Sequence, residues 1–190
     1  MRSVVLLLAA LAVTPTAFAG PVAIGDRLVP FKLKDQTGKA HDLASVKGRS
    51  VVLIFIATQC PVSNAYNERM AAVARDYAAK GVAFYGINSN KQEPVEEIAE
   101  HAQKHGFSFP VLKDPDNVQA DHFGAQVTPE AYVYDAAMVL RYHGRIDDDR
   151  GGSNVKSTDL KNALDALLAG KEVPVKETKA FGCTIKRVQK

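Results

Sequence analysis

The stretch IFIATQCPVSNAYNERM, residues 54–70, passes from an apolar run through one cysteine and one proline into an amphipathic segment. The apolar run begins at Val51, and an unbroken run of this length is typical of a strand buried on both faces. Over residues 61–80 apolar side chains recur at helical spacing, and Gly81 follows as a stop signal. The stretch therefore predicts a buried strand and then a helix, with Cys60 at their junction.

The start of this helix gives Cys60 a chemical role. Pro61 suits the first helical position because its fixed φ fits a helix entry and its missing amide would be unpaired there. Cys60 is then the N-cap residue, and the amides of Val62 and Ser63 are directed toward its sulfur. These amides and the positive end of the helix dipole favour a thiolate. We interpret Cys60 as a nucleophile; the alternative is an inert cysteine of the core.

Strand and helix patterns alternate through the rest of the chain. This alternation predicts an α/β fold in which helices flank a central sheet. A closing hairpin and one last helix make the predicted sheet mixed instead of purely parallel. Further strands are predicted at residues 33–39 (entering a turn), 82–88, 109–113, 131–134 and 139–142, and further helices at residues 94–105, 117–123 and 157–168.

The two ends of the chain differ from the part between them. Residues 1–19 contain Arg2, an apolar run and a closing Ala-Phe-Ala, which together predict a cleaved secretory signal peptide. The run is too short for a membrane anchor. We expect a domain over residues 20–170 and a polar, extended tail over residues 171–190 that lies across it and carries the second cysteine. The predicted location is periplasmic or secreted, with no membrane anchor after signal cleavage.

Composition restricts the partners and the redox setting. The chain has 24 basic and 21 acidic residues, interspersed, with no basic face or aromatic ladder suited to nucleic acid. No cofactor and no metal are predicted. An exported chain with two cysteines permits a disulfide, because the compartment is oxidising, and a purely structural disulfide is the simplest interpretation.

Six motifs spread over nearly all of the chain after residue 19 resemble the thioredoxin-like superfamily. Within it they resemble redoxins related to alkyl hydroperoxide reductase and thiol-specific antioxidant proteins, in a peroxiredoxin-like branch with a single Cys-Pro active site. The resemblance implies a thioredoxin-like fold and thiol redox chemistry. The motifs are FxLKDxxGKxHxL (31–43), TQCPVSNAY (58–66), GINSN (86–90), VTPEAYVYD (127–135), YHGRIDD (142–148) and FGCTIK (181–186).

The resemblance also assigns a role to Thr128 and Pro129. In that superfamily a Thr-Pro bond before a strand is cis and faces the active-site sulfur, and cis X-Pro bonds are otherwise uncommon. The backbone of Thr128 would then pair with an extended substrate, so that Thr128, Pro129 and Pro61 form the expected substrate site. The alternative is an ordinary trans proline at the start of an edge strand.

Two departures from the family patterns limit what the resemblance implies. Where a dithiol thioredoxin has its second cysteine, this chain has Ser63, which we expect to donate a hydrogen bond to the thiolate of Cys60. The superfamily's buried acid would fall on Ile54, so no proton relay is identified, and Glu130 is the hypothesis for it.

The peroxidatic motif Pro-x-x-x-Thr-x-x-Cys is absent, because Leu53 and Ala57 stand where Pro and Thr should be. Arg141 and Arg145 are candidates to approach the sulfur from another part of the chain. Fast peroxide reduction is therefore not expected.

Cys183 is the candidate for the missing second thiol. A thiolate that attacks a disulfide stays trapped as a mixed disulfide unless another thiol resolves it. Cys183 lies in the tail after Gly182, which eases movement, and we expect it to bond with Cys60. Closing so long a loop contributes about 5 kcal/mol in chain-entropy estimates. Stability alone therefore does not separate a catalytic bond from a structural one.

Other polar clusters are weaker candidates. His101 and His105 have helical metal-site spacing but lack the metalloprotease Glu, and Asp147-Asp148-Asp149 lacks the EF-hand pattern. Solvated surface positions are the favoured interpretation of both. His122 with Cys183 would offer soft ligands to copper.

The sequence thus predicts a thiol-disulfide oxidoreductase with Cys60 as nucleophile and Cys183 as resolving thiol. Its expected partners are protein or small-molecule disulfides, with peroxides as a second choice, and an unidentified reductant. The alternatives are a slow thiol peroxidase and a non-enzymatic, copper-binding or structural protein.

Overall fold

The computed structural model describes residues 20–189, and the predicted signal peptide lies outside them. The described chain contains nine strands and five α-helices, besides a short 3-10 helix at Leu43–Ser45. The strands are β1 (Lys32–Lys34), β2 (Ala40–Asp42), β3 (Val51–Phe55), β4 (Ala83–Asn88), β5 (Val111–Lys113), β6 (Val127–Thr128), β7 (Glu130–Tyr134), β8 (Leu140–Gly144) and β9 (Cys183–Thr184). The helices are α1 (Pro61–Ala65), α2 (Asn67–Ala78), α3 (Val95–Lys104), α4 (Val118–Phe123) and α5 (Asp159–Leu168).

A five-stranded mixed sheet in the order β5-β4-β3-β7-β8 forms the centre of the fold. The pairs β3/β4 and β4/β5 are parallel, whereas β3/β7 and β7/β8 are antiparallel. The predicted α/β class and the predicted mixed sheet are therefore both confirmed.

Strand β3 lies in the middle of the sheet, and all five of its residues are buried. Successive side chains of a strand point to opposite faces. Val52 and Ile54 accordingly join the core covered by α2, α3 and α5, while Leu53 and Phe55 join the core covered by α4. This burial on both faces explains the unbroken apolar run. Because β3 ends at Phe55, the residues that follow lie at the carboxyl end of the central strand.

The predicted single helix over residues 61–80 is wrong in one respect, because it is two helices that meet at Tyr66. The Tyr66 amide donates to the carbonyl oxygen of Ser63, three residues back, at 3.0 Å, which tightens the chain at this point. The Tyr66 ring is buried under the guanidinium of Arg69, which lies 3.9 Å from its centroid. The expected apolar face is nevertheless present, since Met70, with Val73 and Tyr77 after it, packs into the core.

The tail is extended and lies over the domain. It pairs with β8, where the amide of His143 donates to the carbonyl oxygen of Lys176 and the amide of Thr178 donates to the carbonyl oxygen of His143. Further along, β9 pairs with β6 in antiparallel register. Val173, near the beginning of the tail, is buried in the core. Among residues 20–189, no helix is long and apolar enough to cross a membrane.

Candidate active site

Cys60 occupies the N-cap position of α1, and Pro61 is the first helical residue, as predicted. The backbone amide of Ser63 donates to the Cys60 sulfur at 3.2 Å. Cys60 is only 4% exposed, because it follows the buried strand β3 and precedes the helix directly. The local sequence therefore aims a backbone donor at the sulfur, which stabilises negative charge there.

Cys60 and Cys183 form a disulfide across 123 residues of sequence, with their Cα atoms 5.8 Å apart. That separation lies within the usual range for a disulfide. The structure thus confirms the predicted pairing and brings the tail to the start of α1. Cys183 is half-buried, whereas Cys60 is nearly fully buried.

The Thr128-Pro129 bond is cis, as the resemblance implies. Thr128 is buried, and its carbonyl oxygen lies 3.4 Å from the Cys60 sulfur. Its backbone is paired with an extended segment, and that segment is the chain's own β9, in which Cys183 is opposite Thr128. The tail therefore occupies the place that we expected a substrate to take.

Ser63 is fully buried, and its hydroxyl accepts a hydrogen bond from the Ala57 amide at 3.2 Å. Its contact with the Cys60 sulfur is made by the backbone amide. In this disulfide form the Ser63 hydroxyl thus fixes the loop before the helix, while the backbone amide of Ser63 donates a hydrogen bond to the Cys60 sulfur.

Glu93 is a part of the site that sequence reasoning missed. Its side chain is fully buried and accepts hydrogen bonds from the amides of Thr58 and Gln59, at 2.9 and 3.1 Å. The side-chain amides of Asn88 and Asn90 also donate to it, at 2.5 and 2.9 Å. Glu93 thereby fixes the two residues that precede Cys60. The available signal was the polar run after β4, at the sheet edge where functional groups often collect.

The same polar cluster reaches the tail. Asn90 donates to Glu93, and its side-chain oxygen accepts from the amide of Lys186 at 2.7 Å. The Lys113 amine donates to the carbonyl oxygens of Asn90 and Glu93, both at 2.7 Å. Burial lowers the pKa of Lys113, although the charge of Glu93 opposes that shift. A continuous network of hydrogen bonds therefore links the loop before Cys60 to the segment after Cys183.

Glu130, the hypothesised proton relay, has its carboxylate engaged elsewhere. It accepts from the amides of Gln126 and Val127, at 2.9 and 3.2 Å, and contacts the His143 ring nitrogen at 2.6 Å. Burial opposes its ionisation, but these hydrogen bonds outweigh burial and lower the pKa of Glu130. Glu130 therefore holds the loop that carries β6, and through β6 it supports the tail.

The weaker candidates have structural partners. His101 contacts the side chains of Asn64 and Asn67 at 2.9 and 3.1 Å, and burial followed by the charge of His105 lowers its pKa to about 4. In the predicted surface turn, Asp147 is buried and bonds with Arg69. Within the described residues, no group of three or more His, Cys, Asp or Glu side chains is placed so that it could hold a metal ion.

Comparison with known proteins agrees with this geometry. A family model described as the AhpC/TSA family matches residues 24–144. The chain belongs to the AhpC/TSA family. The predicted resemblance and the thioredoxin-like fold are confirmed.

Three relatives show the range of this similarity. The thiol-disulfide oxidoreductase ResA of Geobacillus thermodenitrificans is 26% identical over 88% of this chain and 94% of that protein. A crystal structure of a hypothetical protein from Sinorhizobium meliloti 1021 is 34% identical, with a TM-score of 0.83 over 89% of this chain and 97% of that one. The crystal structure of a secreted Mycobacterium tuberculosis disulfide oxidoreductase homologous to E. coli DsbE is 25% identical, with a TM-score of 0.59 over 72% and 96%.

Two arginines that were candidates for peroxide activation in this AhpC/TSA member are held away from that role. Arg141 bonds with Asp135 at 2.7 Å, and Arg145 bonds with Asp159 at 2.6 Å. Within residues 20–189, neither guanidinium forms a hydrogen bond with the Cys60 sulfur. The site therefore has a stabilised sulfur and a partner sulfur, while both of these arginines are paired with carboxylates.

Proposed function

We propose that this AhpC/TSA protein is a thiol-disulfide oxidoreductase in which Cys60 and Cys183 are the redox pair. The observation that carries the proposal is the bond between them, made at the start of α1 and beside the cis peptide of Pro129. The names of ResA and of the Mycobacterium oxidoreductase support this choice of chemistry.

Exchange begins when a substrate thiolate attacks the sulfur of Cys60. A bond forms between the substrate and Cys60, and the electron pair of the broken disulfide leaves with Cys183 as a thiolate. A second substrate thiolate then attacks the substrate sulfur, and Cys60 leaves as a thiolate that accepts from the Ser63 amide. The substrate is oxidised to a disulfide and the protein gains two electrons; the reverse sequence reduces a substrate.

Disulfide substrates fit this site better than peroxides do. Peroxide reduction in the peroxiredoxin pattern uses a threonine and an arginine next to the sulfur, and this chain has Ala57 at the threonine position. Arg141 and Arg145 are engaged with carboxylates. The described environment of Cys60 instead contains a partner sulfur and a backbone that pairs with an extended chain.

An exported location follows from the same proposal. The leader pattern of residues 1–19 is that of a secretory signal, and a disulfide between the only two cysteines persists in an oxidising compartment. The Mycobacterium relative is itself described as secreted. Mass spectrometry of the protein from fractionated cells should find a chain that starts at Gly20 outside the cytoplasm.

The reduction potential of the Cys60–Cys183 pair tests the function directly. We expect one two-electron transition between about −120 and −270 mV, the range of known thiol oxidoreductases, when thiols are trapped across a glutathione or dithiothreitol series. A bond that resists reduction until below about −300 mV would be structural, and the redox role of the pair would be wrong.

A further inference from the structure

The tail segment from Phe181 to Val188, which we call the strap, fills a groove beside Cys60. Its backbone bonds to three separate parts of the chain. It pairs with β6, where the Ile185 amide also donates to the Gln126 carbonyl at 3.0 Å. The Lys186 amide donates to Asn90 at 2.7 Å, and the Val188 amide donates to the Asn117 side chain at 2.7 Å. The groove thus binds an extended backbone through hydrogen bonds over about six residues.

The groove also discriminates between side chains before and after the cysteine. At Gly182 a Cβ atom would overlap the backbone of Thr128, so a residue with a side chain does not fit there. Ile185, two residues after the cysteine, is 3% exposed and packs into the core on the α4 side. Arg187, four residues after it, bonds to Asp121 at 2.9 Å and to the Ala125 carbonyl at 2.6 Å.

A substrate segment has to replace the strap when it replaces Cys183. The mixed disulfide puts a foreign cysteine on the sulfur of Cys60, at the position opposite Thr128. The donors and acceptors that the strap now satisfies would lose their partners, and leaving such groups unpaired is costly. A segment that follows the strap's path restores those bonds, and one that resembles the strap in side chains also fills the same pockets.

We propose that this groove is a peptide-binding site that selects a cysteine segment with glycine before the cysteine, an aliphatic residue two positions after it and a basic residue four positions after it. The strap is the tethered competitor for the same site. The inference rests on the proposed function, because a substrate enters only through exchange at Cys60.

A chromogenic peptide measures this selection. The peptide KAFGCTIKRVQ, copied from residues 179–189, is prepared with nitrothiobenzoate on its cysteine. The Cys60 thiolate of the reduced protein attacks the peptide sulfur, and nitrothiobenzoate leaves as a coloured thiolate. The Cys183 thiolate then attacks Cys60, which re-forms the protein disulfide and releases the peptide thiolate. Each rate constant is divided by that of the same peptide with glutathione, which corrects for intrinsic reactivity.

Three altered peptides test the three positions. A Gly182→Val peptide should react at least about tenfold more slowly, because its side chain meets the Thr128 backbone. An Ile185→Ser peptide should lose on the order of tenfold, since an apolar burial is removed. An Arg187→Glu peptide should lose about threefold, the effect of one half-exposed ion pair.

Variants of the protein test whether the preference among peptides depends on the groove residues and not on the stability of the protein. Asp121→Lys should reverse the preference between the Arg187 peptide and its Glu version. Ile185→Ala in the protein weakens the strap as a competitor and should accelerate attack on the unaltered peptide several-fold. Val175→Ala, at an exposed tail position before the strap, is the matched control and should not change the rate.

Two failures would be distinguishable. If all four peptides react at equal normalised rates, the groove does not discriminate between side chains. The inference is then wrong, while the redox function stands. If the reduced protein reacts with every peptide and with free dithionitrobenzoate no faster than glutathione does, the proposed function fails, and the inference fails with it.

Discussion

Cys60 and Cys183 meet in one bond, but the segments that carry them take their contacts from different places. Around Cys60 the main determinants are adjacent in sequence, namely the buried strand β3 before it and the Ser63 amide after it. Around Cys183 they are distant, since β9 pairs with Thr128 and the next residues bond to Asn90 and Asn117. Cys60 is nearly fully buried, whereas Cys183 is half-buried.

This difference indicates different roles for the two cysteines in disulfide exchange. We expect a sulfur on a helix start that follows a central strand to stay in position when the disulfide opens. We expect a sulfur on the tail to leave once the bond, the short β6 pairing and the contacts of Ile185 and Arg187 are broken. We therefore expect the fixed cysteine to contact substrate and the tail cysteine to move.

The largest expected effect comes from removing each sulfur in turn. Cys60→Ser should abolish disulfide exchange, whereas Cys183→Ser should keep the first step and accumulate a mixed disulfide, because no second thiol resolves it. With oxidised glutathione, intact-mass spectrometry should find one glutathione per chain in Cys183→Ser. Multiple turnover by Cys183→Ser at the wild-type rate would contradict the assigned roles.

The next effect tests how firmly the Cys60 side is fixed. Glu93→Gln replaces one of the two buried acceptor oxygens with an NH₂ group. One backbone amide, of Thr58 or of Gln59, then faces a donor instead of an acceptor, together with the side-chain amide that shares that oxygen. The free energy of unfolding should fall by about 2–3 kcal/mol in urea titrations. The control Glu96→Gln, at an exposed helix position, should stay within about 0.5 kcal/mol. Equal stability of both variants would show that Glu93 does not hold this loop.

A smaller effect weakens the Cys183 side alone. Gly182→Val in the protein introduces a side chain against the Thr128 backbone and disfavours the seated tail. The disulfide form loses stability relative to the dithiol form, so the reduction potential should become less negative by about 30 mV or more, equal to about 1.4 kcal/mol. Gly151→Ala, whose added Cβ would make only ordinary contacts, is the control. An unchanged potential in Gly182→Val would mean that the tail is not seated as described.

The last effect depends on pH and belongs to the Cys60 side. Burial, followed by the charges of His105 and Lys104, lowers the pKa of His101 to about 4, while Glu93 and Glu97 oppose the shift. A depressed histidine pKa means that the folded state resists protonation. Stability should therefore fall as pH drops from about 6.5, the unfolded value, to about 4.

His101→Gln should remove part of this loss of stability. Unfolding free energies measured from pH 7 to pH 4 should be less pH-dependent in the variant than in the wild type. The same slope in both proteins would show that His101 does not contribute to the acid sensitivity.

The sequence alone predicted the features that depend on local patterns. The unbroken run of β3 predicted a central strand, and Cys60-Pro61 predicted a helix start with an amide on the sulfur. The Thr128-Pro129 cis bond followed from position within a family pattern, and the Cys60–Cys183 pairing followed from the need for a second thiol in a chain with two cysteines. The break at Tyr66 was missed, because helical periodicity continues across it.

Only the tertiary structure decided what the residues around the sulfurs do. Glu93, a turn residue without periodicity, is the buried acceptor behind Cys60, and Glu130 supports β6. The tail's register against Thr128 depends on backbone bonds to segments far away in sequence. Such bonds leave no local pattern, because any residue with an amide and a carbonyl group can form them. The sequence therefore determined the position of Cys60 at the start of its helix, and the tertiary structure determined what lies in the groove beside it.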